Sequence, residues 1–591
     1  LRLPYAGHLY QDDGLWFAAA EEIVRGNALY RDIYFDKPPA LPLLYAGLFE
    51  LFGPHIITIR LFTIFYSIAI AVVVFLFGSW LYDRRAGLVA ASIFTLFSTT
   101  YETGHFQGLN TDFLMALPYT VAAYMFARAC GDWFGKRAGS SRWLAFGAGL
   151  ALGFGFQANP KAAFGLVFFA ALIVAAARSG KGALLFALSL IGFISGSAPL
   201  LIYVAANGAT ADYWLQVWDW GSRYAGYNSP GKSVATALTQ TADYFAINNL
   251  LLFGVAIVAA GLMRKRVASK RTGAAKEAAG AGFRADAALL LWLAVSYAGM
   301  SVGGRFYGHY FLQILPALCL IAARGLLDLI DWKQARLKRA VALLLIAGLA
   351  FTLIRSHGRT AVLAYDWLRG TKSESTLEWA HERLNHEERM VAAVVRHMPG
   401  GSASAGSLGL EEMRAGAPAD HLFVWGYRPE IYYWSGLLPA SIYLSSQPLT
   451  GVPADMHYFK SEYRPILDDA ITSAARARLV GELEQTRPEF IIDELAVFNS
   501  ELSMSSFGET REYLNHYREL GIVGRFVVYR RKDLPEMWLS KNGVGGGGGG
   551  GGGSPLTARS GARVRRAVRR RERRVARVVA APEVRSVRAA A

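Results

Sequence analysis

Residues 56–82 read IITIRLFTIFYSIAIAVVVFLFGSWLY, an almost unbroken apolar run with a single charge, Arg60. A bilayer's hydrocarbon core needs about 20 apolar residues in a helix, so this stretch is long enough to cross one. The chain of 591 residues is 53% hydrophobic and 18% charged, against about 25% charged in soluble domains. Further apolar runs occur at about 87–103, 113–129, 143–158, 162–178, 183–206, 245–264, 285–303, 310–326 and 339–356. With 56–82 they give ten candidate spans, several at the short end of the usable range. The expected fold is an α-helical polytopic membrane protein.

The connections between the runs alternate in charge. YDRRAG (82–87), GKRAGSSR (135–142), RSGKG (178–182), RKRVASKR (264–271) and KQARLKR (333–339) fall in every second connection. Positive charge collects on the cytoplasmic side, so this set is expected inside and both ends of the ten-span unit outside. The segment 1–55 then lies outside with no apolar run before it in this sequence. The expectation is a further span ahead of Leu1, about eleven in all, in the plasma (inner) membrane of a cell with an envelope.

The net charge of +17 does not indicate a nucleic-acid binder. Residues 555–591 hold twelve Arg against two Glu, a net of +10, leaving +7 elsewhere, mostly in the basic loops. This tail follows an unbroken glycine run, 545–553. Both compositions favour solvated coil, and the tail resembles out-of-frame translation of GC-rich DNA. An unselected disordered extension over 541–591 is expected, with no nucleic-acid partner. The two cysteines, Cys130 and Cys319, lie in apolar runs and suggest neither a disulfide framework nor a metal site.

The opposite connections gather ionisable and aromatic residues on the outer face. The first contains Asp12, Asp13, Glu21, Glu22 and YFDKPPALPLL with Lys37; the second is YETGHFQGLNTDF with Asp112; the third is QANPKAAF with Lys161. A fourth is the aromatic DYWLQVWDWGSRYAGYNSPGK, and the last, GGRFYGHYFLQILP, carries Arg305, Tyr307 and His309. Each has an ordinary structural reading. Asp12 or Asp13 suits a helix N-cap, and so does Asp112. Lys161 suits a snorkelling side chain, Tyr307 and His309 an interfacial belt, and DKPP a stiff turn. Charges near hydrocarbon are costly and usually line a cavity or pair with each other, so the convergence is the signal rather than any one residue.

The order of these pieces resembles the polyprenol-phosphate-sugar glycosyltransferases of the GT-C class. DD, an amphipathic helix, FDKPP, then LFG and Arg60 at a span start are similar to bacterial relatives of the protein O-mannosyltransferases and the lipid A aminoarabinose transferase. NTDF, NPKAAF, RFYGHYFLQILPAL and the later FVWGYRPEIYYWSGLLPASIY agree, so the resemblance covers about 1–540. Two departures stand out: the usual acidic pair is Asp-Glu, here Asp12-Asp13, and the family's first span is absent from this sequence.

The resemblance implies a sugar donor on polyprenyl phosphate and transfer with inversion to an envelope acceptor, whether lipid A, lipopolysaccharide core, another glycan or protein. Asp12 is the expected general base, with Asp13 and Asp112 orienting the acceptor or holding Asp12. Lys37, Lys161, Arg305 and His309 are expected at the donor phosphate, with Tyr307 and Tyr310 adding hydrogen bonds or lining the prenyl chain. Carboxylates and a His share this face, which suits a divalent metal, but no ligand motif such as paired His at helical spacing is present. No cofactor is expected.

After the last span, the stretch from 355 to 400 is charged and helical in pattern, and HLFVWG, FIIDE and RFVVYRR read as strands. The expected organisation is a membrane catalytic domain over 1–356 and an extracytoplasmic α/β domain over 357–540, which either helps to select the acceptor or serves as a lid. Asp493, at the end of FIID, attracts no role. The rival functional class is a transporter or flippase of lipid-linked sugars. That class binds near the bilayer midplane and commonly shows internal repeats, whereas here the charges cluster at one interface.

Overall fold

A computed structural model of the chain describes residues 9, 11–100, 108–136, 141–176, 182–272, 280–330, 335–369, 385–396, 421–458, 463–535, 537–540 and 543–546. The expected extension over 541–591 lies outside these residues except for 543–546. So do parts of the outer loop 101–113, of several basic loops and of the charged stretch 355–400.

Two helices precede the first long apolar run: α1 (Gln11–Val24) and α2 (Ala40–Phe52). They are followed by α3 (Ile56–Leu81), α4 (Arg84–Phe97), α5 (Thr111–Ala129), α6 (Ser141–Ala158), α7 (Phe164–Ala176) and α8 (Gly182–Ala206). Helices Pro230–Ile247, Asn249–Thr272, Ala281–Met300, Leu315–Ile330 and Ala335–Arg369 complete this part. Each of the ten apolar runs overlaps a helix among the described residues. Among the described residues four helices are long and apolar enough to cross a membrane unaided: Ile56–Leu81, Gly182–Ala206, Gly282–Met300 and Lys338–Gly358. A fifth arises if the bent pair Pro230–Ile247 and Asn249–Gly261 counts as one. Several of the others are shorter than the ~20 residues a lone helix needs.

Local chemistry explains several breaks. Asp83 caps α4 by accepting from the Ala86 N–H at 2.8 Å. Asn110, not Asp112, caps α5 by accepting from Phe113 N–H, which leaves the Asp112 carboxylate free for other partners. The two helices at 247–249 are bent by 100°, and side chains take up the polar groups there. Asn248 donates to the Tyr244 carbonyl at 2.8 Å and accepts from the Thr100 hydroxyl at 2.6 Å, while Thr352 donates to the Ile247 carbonyl. At membrane depth such a break persists only where polar groups find partners.

Helices α6 and α8 pack through small residues. Gly149 and Gly153 on α6 and Gly192 and Gly196 on α8 each form a G-x-x-x-G pair, and a Cβ at any of the four would overlap backbone of the facing helix. This backbone-to-backbone approach is how small residues hold helices in lipid, where apolar burial between them gains little.

The C-terminal part carries a five-stranded sheet in the order β2-β1-β3-β5-β4, from β1 (His421–Trp425), β2 (Leu438–Pro439), β3 (Phe490–Asp493), β4 (Tyr517–Val523) and β5 (Phe526–Arg531). β1 is parallel to both β2 and β3, while β5 runs antiparallel to β3 and to β4. The three strand-like runs of the sequence are thus β1, β3 and β5. Phe423, Trp425, Leu479, Leu483, Ile491 and Leu495 form the centre of its core. Asp493 is structural: its carboxylate accepts from the backbone N–H groups of Ala496 and Met504 at 2.9 and 2.8 Å. Burial pushes that carboxyl up to about 7.

This sheet lies against the segment that precedes α3. Asn385 exchanges two hydrogen bonds with the Leu9 backbone at 3.0 and 2.8 Å. Tyr34 N–H donates to Ile442 at 2.9 Å, and Phe17 of α1 meets Tyr433 edge-on with centroids 5.3 Å apart. A Cβ at Gly14 would overlap Glu430, so α1 approaches the short helix Glu430–Ser435 more closely than any side chain at 14 permits.

Candidate active site

The first turn of α1 sends its two carboxylates to different neighbours. Asp13 pairs with Arg60 at the start of α3 at 2.7 Å, both side chains buried. Asp12 instead accepts a hydrogen bond from the Tyr427 hydroxyl at 2.8 Å. Burial raises the Asp12 carboxyl above its usual value. Lys37, the Tyr427 hydrogen bond and His309 oppose that rise, and Asp13 adds to it slightly.

Lys37 reaches this point on the loop between α1 and α2. Tyr30, held at φ 73, donates its hydroxyl to the Lys37 carbonyl at 2.8 Å. The Lys37 ammonium is 3.1 Å from Asp36. Burial works against the charge, but Asp36 and then Asp12 more than offset it, so the Lys37 pKa is raised overall.

Asp112, in the first turn of α5, is buried at the centre of a second group. Lys161 is 3.2 Å from its Oδ1, Asn159 donates to the same oxygen at 3.1 Å, and His309 Nε2 is 3.7 Å from Oδ2. Asn159 also accepts from Lys161 N–H at 3.1 Å, fixing the turn that delivers the lysine. The Lys161 ammonium lies over the Tyr310 ring. His309 links the two groups, since it stands beside Asp112 and its charge acts on Asp12.

Arg305 and Tyr307 flank Phe306, which has φ 51. That left-handed conformation is unfavourable for a bulky residue by roughly 1–2 kcal/mol. It lets neighbouring side chains reach one carboxylate, Asp455: Arg305 pairs with it, and the Tyr307 hydroxyl donates to it at 2.5 Å. The Arg305 guanidinium also lies 4.5 and 4.7 Å from the ring centres of Tyr224 and Tyr227.

All nine residues given a role from the sequence, Tyr310 included, therefore have definite neighbours. Asp12, Lys37, His309, Asp112 and Lys161 interact as one cluster; Arg305 and Tyr307 adjoin it through Tyr224 and Tyr310. Asp13 is turned away onto Arg60. Sequence reasoning missed Asp36, Asn159, Asp455 and Tyr427. Asp36 and Asn159 stand beside residues it did select, and Tyr427 lies inside the quoted stretch FVWGYRPEIYYWSGLLPASIY without having been singled out, whereas Asp455 has no local signal. Among the described residues no group of three His, Cys, Asp or Glu side chains is arranged to hold a metal ion.

Comparison with known proteins adds a likeness over part of the chain. Residues 36–203 match the sequence profile of the dolichyl-phosphate-mannose-protein mannosyltransferase family. That segment holds Lys37, Asp112 and Lys161 but neither Asp12 nor Arg305. No curated protein matches the chain in sequence. The structure is similar to that of ArnT from Cupriavidus metallidurans bound to undecaprenyl phosphate, with 12% identity, 87% of this chain and 92% of that chain covered, and a TM-score of 0.50. It also aligns with the apo Archaeoglobus fulgidus oligosaccharyltransferase, at 13% identity, 86% and 68% coverage and a TM-score of 0.44. At these identities the likeness concerns the fold.

Proposed function

We propose that the chain is a GT-C glycosyltransferase, a reading supported by the family likeness over residues 36–203, and that it moves a sugar from polyprenyl phosphate to an envelope acceptor at the outer face of the plasma membrane. The observation that carries this reading is Asp12: a partly exposed carboxylate beside Lys37 and His309, next to the Asp112–Lys161 pair. The ten helical runs serve as ten spans, and the alternating basic loops put this cluster outside. The acceptor is a hydroxyl of lipid A, lipopolysaccharide core, another glycan or protein.

In the proposed reaction Asp12 accepts the proton of the acceptor hydroxyl as its oxygen bonds to the anomeric carbon. The bond from that carbon to the phosphate oxygen breaks on the opposite face, so configuration inverts. The diester phosphate leaves as polyprenyl phosphate, a monoester carrying more negative charge. Lys37, Lys161, Arg305 and His309 stabilise that charge, with Tyr307 as a hydrogen-bond donor. A base is most effective with a pKa near the working pH, and burial shifts Asp12 in that direction. Asp112 holds Lys161 and His309 in place. No cofactor is required for this displacement.

The test uses the full chain in lipid nanodiscs with a panel of undecaprenyl-phosphate sugars and extracted envelope glycolipids. Release of undecaprenyl phosphate, with a product of inverted anomeric configuration by NMR, is expected. Retained configuration contradicts the single displacement. Intact donor crossing the bilayer of proteoliposomes without transfer favours the transporter class.

A further inference from the structure

The sheet-bearing C-terminal part sends one side chain onto the residue assigned as base. Tyr427 donates to Asp12 Oδ1 at 2.8 Å across 415 residues of sequence. It sits just beyond the end of β1, whose last residue, Trp425, is in register with Asp493 of the parallel strand β3. Carboxyl ends of parallel strands are where open α/β sheets commonly place functional groups. Here both ends are used. The Tyr427 N–H donates to Glu494 Oε2 at 3.0 Å, and Glu494 follows directly after β3. Glu494 is fully buried and held in turn by Arg428 at 2.8 Å and the Tyr458 hydroxyl at 3.2 Å. Between strand and tyrosine, Gly426 has φ 139, and a Cβ there would overlap Glu494. Tyr427 is thus set by a rigid, buried framework.

We propose that Tyr427 is a positioning residue for Asp12, its hydroxyl occupying Oδ1 so that Oδ2 is presented to the acceptor and the carboxylate form is favoured. The inference rests on the reading of Asp12 as base. It gives the C-terminal part a task in the reaction other than choosing the acceptor. Burial and the nearby Asp12 charge hold the Tyr427 phenol well above its usual value, so it stays a donor throughout the working range.

The groups acting on Asp12 are Lys37 on the α1–α2 loop, His309 on the loop before Leu315–Ile330, Asp13 on its own helix, and Tyr427. Lys37, His309 and Tyr427 favour the carboxylate; Asp13 and burial oppose it. Removing the Tyr427 hydroxyl therefore raises the Asp12 pKa. More of the base is protonated at a given acid pH, and the acid limb of the rate profile moves to higher pH.

The experiment measures kcat/KM against pH for the full chain in nanodiscs, as wild type, Asp12→Asn and Tyr427→Phe. Tyr427→Phe is expected to be about tenfold slower on the acid limb, the scale of one hydrogen bond to a charged group, with a much smaller loss on the plateau. A purely structural role predicts an equal loss at every pH, and that result, or an unchanged profile, overturns the proposal. If Tyr427→Phe does not fold, 3-fluorotyrosine at 427, a stronger donor of the same shape, is expected to move the limb to lower pH. An unmoved limb overturns the proposal there too. Activity surviving in Asp12→Asn removes the base assignment and this inference with it, whereas an inactive Asp12→Asn with an unmoved Tyr427→Phe limb removes only the inference.

Discussion

Asp12 and Asp13 are neighbours of the same type on one helical turn, yet their surroundings differ in almost every respect. About 100° of helical rotation separates them. That rotation takes Asp13 onto Arg60, where the carboxylate is 4% and the arginine 2% exposed, and leaves Asp12 partly exposed beneath Tyr427. The space around the first pair is closed further by Gly108, where a Cβ would overlap both Arg60 and Asp13. One carboxylate is paired with an arginine in a buried contact. The other is balanced between burial and several groups, the condition in which a carboxylate exchanges a proton. Residue type and spacing were equal; the elements packed against each side of α1 give the two carboxylates their different surroundings.

The largest effect should come from Asp12→Asn. Loss of a general base typically costs 10²–10⁴-fold, so kcat/KM should fall by about 10³-fold, or about 4 kcal/mol. Thermal unfolding in nanodiscs should be nearly unchanged. Asp13→Asn should reverse the pattern: breaking a buried ion pair costs about 3–5 kcal/mol of stability, read as a lower unfolding temperature, with the surviving folded fraction still turning over. The double variant Asp13→Leu, Arg60→Met should recover much of that stability, because the uncompensated buried charge is gone. If Asp13→Asn instead abolished turnover without loss of stability, the contrast between the two residues would collapse.

Lys161 and Asp455 sharpen the same contrast at the phosphate. Lys161→Ala should raise the donor KM about ten- to a hundredfold, as expected for about 1.5–3 kcal/mol from a charged hydrogen bond, measured by donor titration. Asp455→Asn should have the smallest effect and the opposite sign. It removes the carboxylate that pairs with Arg305, so the donor KM should drop several-fold, on the order of 1 kcal/mol. A rise would mean that Asp455 orients Arg305 rather than competing with phosphate for it.

The helices were legible in the sequence because apolar runs survive whatever packs around them, and each of the ten runs overlaps a helix among the described residues. Apolar character and spanning length part company, since α4 and α7 are 14 and 13 residues long, short of the ~20 a lone spanning helix needs. In the sheet, HLFVWG, FIIDE and RFVVYRR stood out because they are largely buried, whereas β4, YRELGIV, is half exposed and interrupted by a bulge between Glu519 and Gly521. Asp12, Lys37, Asp112, Lys161 and His309 could be collected from motif order and sidedness. Asp455 could not, and for Tyr427 the motif FVWGYRP marked the segment but not its meeting with Asp12. They reach the cluster from positions far along the chain, through a sheet whose docking depends on contacts such as Asn385 with Leu9 and Phe17 with Tyr433. No local spacing encodes such a meeting. The pairing of Asp13 with Arg60 was equally hidden, because DD reads the same whichever carboxylate turns inward.

The most direct test of the account compares envelope glycans and polyprenyl-phosphate sugars by mass spectrometry in a strain deleted for the gene. The strain carries either wild type or Asp12→Asn at matched membrane levels. Deletion should remove one sugar from the envelope and accumulate its polyprenyl-phosphate form. Wild type should restore the sugar and Asp12→Asn should not. Restoration by Asp12→Asn equal to wild type would contradict the assignment of Asp12 as the base and leave it a residue of the helix start.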